Sequence, residues 1–117
     1  MLFRSVQVNE ARLRLLGAEH PDTLSSMGYL AAMYSNQGRW KEAEELWVQV
    51  NEARLRLHGV EHPDTLSSMA HLAATYSNQG RWKEAEELRV QVNEARLRLL
   101  GAEHPDTLLS MGNLALM

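Results

Sequence analysis

The stretch Asn9–Val50, NEARLRLLGAEHPDTLSSMGYLAAMYSNQGRWKEAEELWVQV, is followed without a gap by Asn51–Val92, NEARLRLHGVEHPDTLSSMAHLAATYSNQGRWKEAEELRVQV. The copies are offset by 42 residues and differ at six positions: Leu16/His58, Ala18/Val60, Gly28/Ala70, Tyr29/His71, Met33/Thr75 and Trp47/Arg89. Asn93–Met117 begins a third copy and runs for 25 residues, while the first eight residues align poorly with Ala43–Val50. Self-similarity at a fixed period marks a repeat array, in which each unit covers the apolar face of its neighbour.

Each unit reads as two helices. Pro21, Pro63 and Pro105 open the first, because proline's fixed φ and missing N–H suit the first helical position. Asp22, Asp64 and Asp106 follow, where a carboxylate favours the positive end of the helix dipole. Leu24, Met27, Leu30, Ala31 and Tyr34 recur at three- and four-residue steps and form one apolar stripe. Asn36-Gln37-Gly38 closes this helix, with Gly38 free to take φ > 0. The second helix carries Trp40, Ala43, Leu46, Trp47, Val50, Ala53 and Leu57 on one face, so the tryptophans are expected to fill gaps between helices. It stops at Gly59, a C′ cap, with Val60 placed for the apolar contact such caps make. The expected helices are 21–37, 39–58, 63–79 and 81–100, with part-helices at 1–16 and 105–117. The chain is therefore expected to be all-α, a stack of antiparallel helix pairs with no sheet. It divides into a partial second helix (1–16), repeats 17–58 and 59–100, and a truncated repeat 101–117.

Composition narrows the function. The 117 residues fit one domain, and 44% apolar content is ordinary for a globular chain. No apolar run approaches the roughly 20 residues that span a bilayer, and the first residues lack the layout of a signal peptide. A net charge of −3 argues against a nucleic-acid partner, which calls for a basic stripe. Cysteine is absent, so no disulfide or thiolate site is available, which fits the cytosol or nucleus, and a cytoplasmic location is expected.

The residues on these helices resemble the tetratricopeptide (TPR) signature W-x₂-L-G-x₂-Y, then A-x₃-F, then P. Met27, Leu30, Ala31, Tyr34, Ala43 and Trp47 fall at those spacings in the first repeat. Met69, Leu72, Ala73, Tyr76 and Ala85 do so in the second, where Arg89 replaces the aromatic; the third supplies Met111, Leu114 and Ala115. Leu55 and Leu97 stand where the final proline is usual, because the unit has 42 residues and the proline comes eight later. With its G-x-E-H-P-D-T-L and N-Q-G-R-W-K-E-A-E-E-L blocks, the unit looks like the kinesin light chain type of TPR. It is closer still to the near-identical arrays of fungal NOD-like (STAND) receptors. The resemblance implies a right-handed superhelical solenoid that binds protein or peptide and is not an enzyme. It also implies a larger parent receptor, although no glycine-rich phosphate loop occurs in this chain.

Chemistry-bearing clusters read as structure. His20-Pro21-Asp22 spells the tripeptide of chaperone-stimulating J-domains, but it recurs at repeat spacing and is read as a helix start. His20, His62 and His104 are spaced too far apart in a stacked array to share an ion, so they are taken as capping or surface residues and no metal or cofactor is expected. Ser67, His71 and Asp64 lie on one helix without oxyanion donors, so no catalytic residues are assigned. The acidic runs such as Glu42-Ala43-Glu44-Glu45 are solvated faces, partly paired with the arginines and lysines that follow.

The partner surface is placed opposite the first helix's stripe, in the arc that lines the concave groove of a TPR stack. It comprises Ser25, Gly28, Tyr29, Ala32, Met33 and Asn36, then Ser67, Ala70, His71, Ala74, Thr75 and Asn78, and finally Asn113. Three of the six differences fall here, while the stripe does not change. This pattern points to a ligand-tuned groove for a protein or peptide. The arc holds no lysine or arginine, so it is a poor match to TPR sites that clamp a terminal carboxylate. The alternative is a spacer or self-assembly module. End-to-end association of copies is expected because both terminal helices carry stripes without a covering partner and 117 residues plus nine make three periods of 42. A two-fold pairing of like ends is the alternative to it.

Overall fold

A computed structural model describes residues 2–100. They form five α-helices: α1 (Leu2–Leu16), α2 (Pro21–Asn36), α3 (Trp40–His58), α4 (Pro63–Asn78) and α5 (Trp82–Leu100). No strand occurs among the described residues. The expected boundaries hold to within one residue. The part-helix placed at 105–117 lies outside the described residues, and so does Asn113.

Helix starts and stops follow from side-chain chemistry. His20 is extended (ψ 139°), and its Nδ1 accepts the Asp22 N–H at 3.1 Å, with Pro21 at the first helical position. His62 repeats this on Asp64 at 3.1 Å. The histidines of the H-P-D blocks are thus N-caps, each satisfying one of the donors a helix start leaves open. At the other end the Tyr34 carbonyl accepts from Gln37 N–H (3.0 Å) and Arg39 N–H (2.9 Å). The reversal requires Gly38 at φ 73°, a region costly for any residue with a Cβ. Arg39 then lies 4.6 Å from the centre of the Tyr34 ring and pairs with Glu42. Arg81 does the same with Tyr76, at 4.3 Å, and Glu84. Glu42 and Glu84 therefore pair with the arginine before them, in contrast to the expected pairing with residues that follow.

The chain divides into two compact units, Met1–Leu57 and His58–Met117. In the first, Leu24, Met27, Leu30, Ala31, Ala43, Trp47, Val50 and Ala53 are buried. In the second, Leu66, Met69, Val92 and Ala95 form one cluster, with Leu88 packed against it. Complete burial of a side chain such as Leu24 or Leu66 stabilises by about 1.5–3 kcal/mol. Two buried hydroxyls of the first unit are satisfied: Thr23 Oγ1 donates to the Arg12 carbonyl (3.2 Å), and Ser26 Oγ lies 2.8 Å from both Asn9 Oδ1 and the Thr23 carbonyl. These bonds fasten the first turns of α2 to α1.

Three apolar expectations need correction. Trp82 is 60% exposed, and only Trp47 among the tryptophans is buried. Trp82 is the first residue of α5, so no preceding turn of its own helix covers the indole. Leu57 is exposed because α3, at 19 residues, outruns the 16-residue α2. Val60, placed for an apolar cap contact, is 44% exposed.

Candidate functional site

In the first unit Ser25, Tyr29, Ala32 and Asn36 are exposed along α2, whereas Gly28 and Met33 are half-buried. A Cβ placed on Gly28 would stand 3.1 Å from Cη2 and 3.3 Å from Cζ3 of Trp47. Gly28 is therefore the floor on which the Trp47 indole rests, and not an open groove position. Met33 Sδ accepts from Ser5 Oγ of α1 at 2.9 Å, so its variation also bears on packing.

In the second unit His71, Ala74 and Asn78 are exposed along α4, and Ser67 and Ala70 are half-buried. Thr75 is buried (3% exposed), and its Oγ1 donates to the His71 carbonyl at 2.9 Å. Thr75, expected on the partner surface, is thus not on the exposed face of α4, and the bond to its own helix satisfies the hydroxyl without water. Of the three arc differences, Tyr29/His71 alone is exposed in both copies.

Beside Tyr29 the first unit has a groove of about 500 Å³ between α1 and α2, lined by Arg4, Ser5, Val8, Arg12, Ser25, Ser26 and Tyr29. Two guanidinium groups thus reach a surface that the wheel of α2 alone represents as uncharged. They come from the neighbouring helix, which a single-helix projection cannot include. Arg12 Nη1 is partly committed, donating to the Asp22 carbonyl at 3.1 Å. Exposed Tyr29 supplies an apolar ring with a polar tip, and Ser25 adds a hydroxyl that can donate and accept. Side by side, the groove offers guanidinium donors, a hydroxyl and an aromatic ring. The sequence reading also missed Thr23 and Ser26, which bind α2 to α1 beneath this groove. Their two- and five-residue offsets from Pro21 recur in the second copy, at Thr65 and Ser68, and were the available signal.

Ion pairs flank each unit. Arg56 Nε reaches Glu19 Oε1 at 3.4 Å, and Arg98 Nε reaches Glu61 Oε1 at 2.6 Å. Both join the glutamate of the G-x-E-H block to an arginine 37 residues on.

The geometry agrees with known repeats. The tetratricopeptide repeat model matches residues 28–92, more than half of the chain. A crystal structure of nearly identical TPR-like repeats from Podosopora anserina, of the kinesin light chain kind, superposes with a TM-score of 0.91. It is 36% identical over 97% of this chain and 54% of its own. A point variant of that protein gives 0.90 at the same identity. BtubC (BKLC) from P. vanneervenii shares the fold, with a TM-score of 0.83 at 16% identity over 92% of this chain and 43% of its own. The chain thus spans about half the length of the solved structures it matches. No curated protein matches it.

Proposed function

We infer that this chain, a member of the tetratricopeptide repeat family, is a non-catalytic scaffold that binds a protein or peptide along the exposed faces of α2 and α4. TPR repeats generally mediate protein–protein interactions, and the family is typically non-catalytic. The observation that carries the reading is the position occupied by Tyr29 and His71. It is solvent-facing in both copies, yet it changes chemistry while the buried stripe beside it stays fixed. The groove of about 500 Å³ next to Tyr29 gives a ligand somewhere to lie. In the larger frame, the array is the ligand-sensing or adaptor part of a longer protein such as a NOD-like receptor.

The test is a peptide array probed with wild-type protein and with the Tyr29→Ala/His71→Ala variant. Both positions are exposed, so helicity should be unchanged, while capture of the selected peptides should fall at least tenfold. Equal capture by both proteins would refute binding at the Tyr29 and His71 faces. A self-assembly reading draws on α1, where Phe3 and Leu15 are 75% and 78% exposed. Light scattering across a concentration series separates the two, since end-to-end association predicts a mass that rises with concentration.

A further inference from the structure

We propose that His58, His62 and Asp64 form a site for one divalent transition-metal ion of the zinc type. One ligand atom from each of the three lies within 4.8 Å of the others. The rings of His58 and His62 are stacked, with centroids 4.2 Å apart and planes inclined by 22°. The sequence spacing H-x₃-H is that of a helical pair, but the chain leaves the helix between them. His58 ends α3, Gly59 takes φ 83°, and His62 caps α4. The turn at Gly59 therefore brings the second imidazole back over the first.

Zinc binds imidazole nitrogen and carboxylate oxygen at about 2.0–2.2 Å, which places tetrahedral ligands roughly 3.4 Å apart. Closing from 4.8 Å takes rotations of side chains that are exposed (His58, Asp64) or half-buried (His62). Two histidines and one aspartate leave a fourth position for water, and imidazole ligands select zinc, copper and nickel over calcium or magnesium. The neighbouring Glu61 is engaged with Arg98 at 2.6 Å and is not needed in the set.

The site is particular to one junction. The residue equivalent to His58 is Leu16 in the preceding copy and Leu100 in the following one. His20 and Asp22 thus repeat the cap without a second imidazole beside it. Binding also has a local signature. His62 Nδ1 accepts the Asp64 N–H at 3.1 Å, which puts the ring proton on Nε2. Ligation through Nδ1 consumes that lone pair, and ligation through Nε2 moves the proton to Nδ1. Either route breaks the cap hydrogen bond, so the Asp64 amide must report the ion.

The experiment is calorimetric titration of the untagged protein with zinc chloride, followed in parallel by ¹H–¹⁵N spectra. The expected result is one equivalent bound, with the Asp64 amide displaced and the Asp22 amide unmoved. His58→Leu, which installs the residue the chain itself uses at 16 and 100, should keep the fold and weaken binding at least tenfold. Asp64→Asn should weaken it less, since an amide oxygen remains. The proposal is overturned if His58→Leu binds zinc as tightly as wild type, or if wild type shows no saturable uptake at millimolar zinc.

Discussion

Gly28 and Trp47 show how two substitutions that look independent in the sequence become one in space. The indole stands 3.1 Å from where a Gly28 Cβ would be, tighter than ordinary contact. The second copy carries Ala70 and Arg89 instead, changing both members of the pair together. Gly28→Ala gains about 1 kcal/mol of helix propensity but overpacks a buried ring, at a cost of roughly 1–3 kcal/mol. The single variant should therefore be destabilised by about 1 kcal/mol. In a Trp47→Arg background the same change should become stabilising by about 1 kcal/mol, because only the propensity gain remains. Urea denaturation of the four proteins measures the coupling. The same effect in both backgrounds would show that the ring shifts freely. Neither Gly28 nor Met33 reveals this role on a helical wheel, which represents one helix and omits the residues facing it. Thr75 escapes the wheel for a related reason, since its hydroxyl is satisfied by its own helix backbone and need not face water.

Helix ends were the most legible elements, because they depend on residues close in sequence. Proline, aspartate and glycine fix φ, dipole and turn locally, so the boundaries of α2 to α5 could be read to within one residue. The tertiary partners of those ends were not legible: Thr23 on the Arg12 carbonyl and Glu19 on Arg56 arise only once helices meet. The caps are testable. His20→Ala removes the acceptor for the Asp22 N–H and should cost about 1 kcal/mol, whereas His20→Asp, with an oxygen in reach, should recover most of it. Thermal unfolding of the two variants decides whether the imidazole is a cap or an ornament of the loop. The turn before α5 adds a pH dependence. Hydrogen bonding from Arg81 holds the Glu84 carboxyl below its ordinary value. A pKa lowered in the folded state stabilises fully above the unfolded value, and the contribution is lost as pH falls through the lowered one. Glu84 is exposed, so the effect is small and sensitive to salt. Stability of wild type should thus decline slightly more steeply in acid than that of Arg81→Ala, a difference that high salt removes.

At the scale of the molecule, near-identical repeats allow the same lesion to be placed twice. Repeat arrays are stabilised by the sum of each unit's own stability and its contacts with neighbours, so damage is felt first where it is made. Leu24 and Leu66 are equivalent in sequence, and each is 2% exposed. Truncating either to alanine removes a buried isobutyl group and leaves a cavity, which costs about 2–5 kcal/mol. The two sites differ in what surrounds them. Leu66 belongs to a cluster with Met69, Val92 and Ala95, whereas the first unit holds the Trp47 indole on Gly28, and the second copy has Arg89 where that indole stands. A large aromatic contributes more buried area than the arginine that replaces it. The first unit should therefore tolerate Leu24→Ala better than the second tolerates Leu66→Ala. Hydrogen exchange followed by mass spectrometry reads this directly. Leu66→Ala should strip protection from α4 and α5 while α1 and α2 keep more of theirs, and Leu24→Ala should produce a smaller loss confined chiefly to α1–α3. Uniform loss across all five helices in both variants would mean that the two units unfold as a single cooperative body, and the local account of stability would fail.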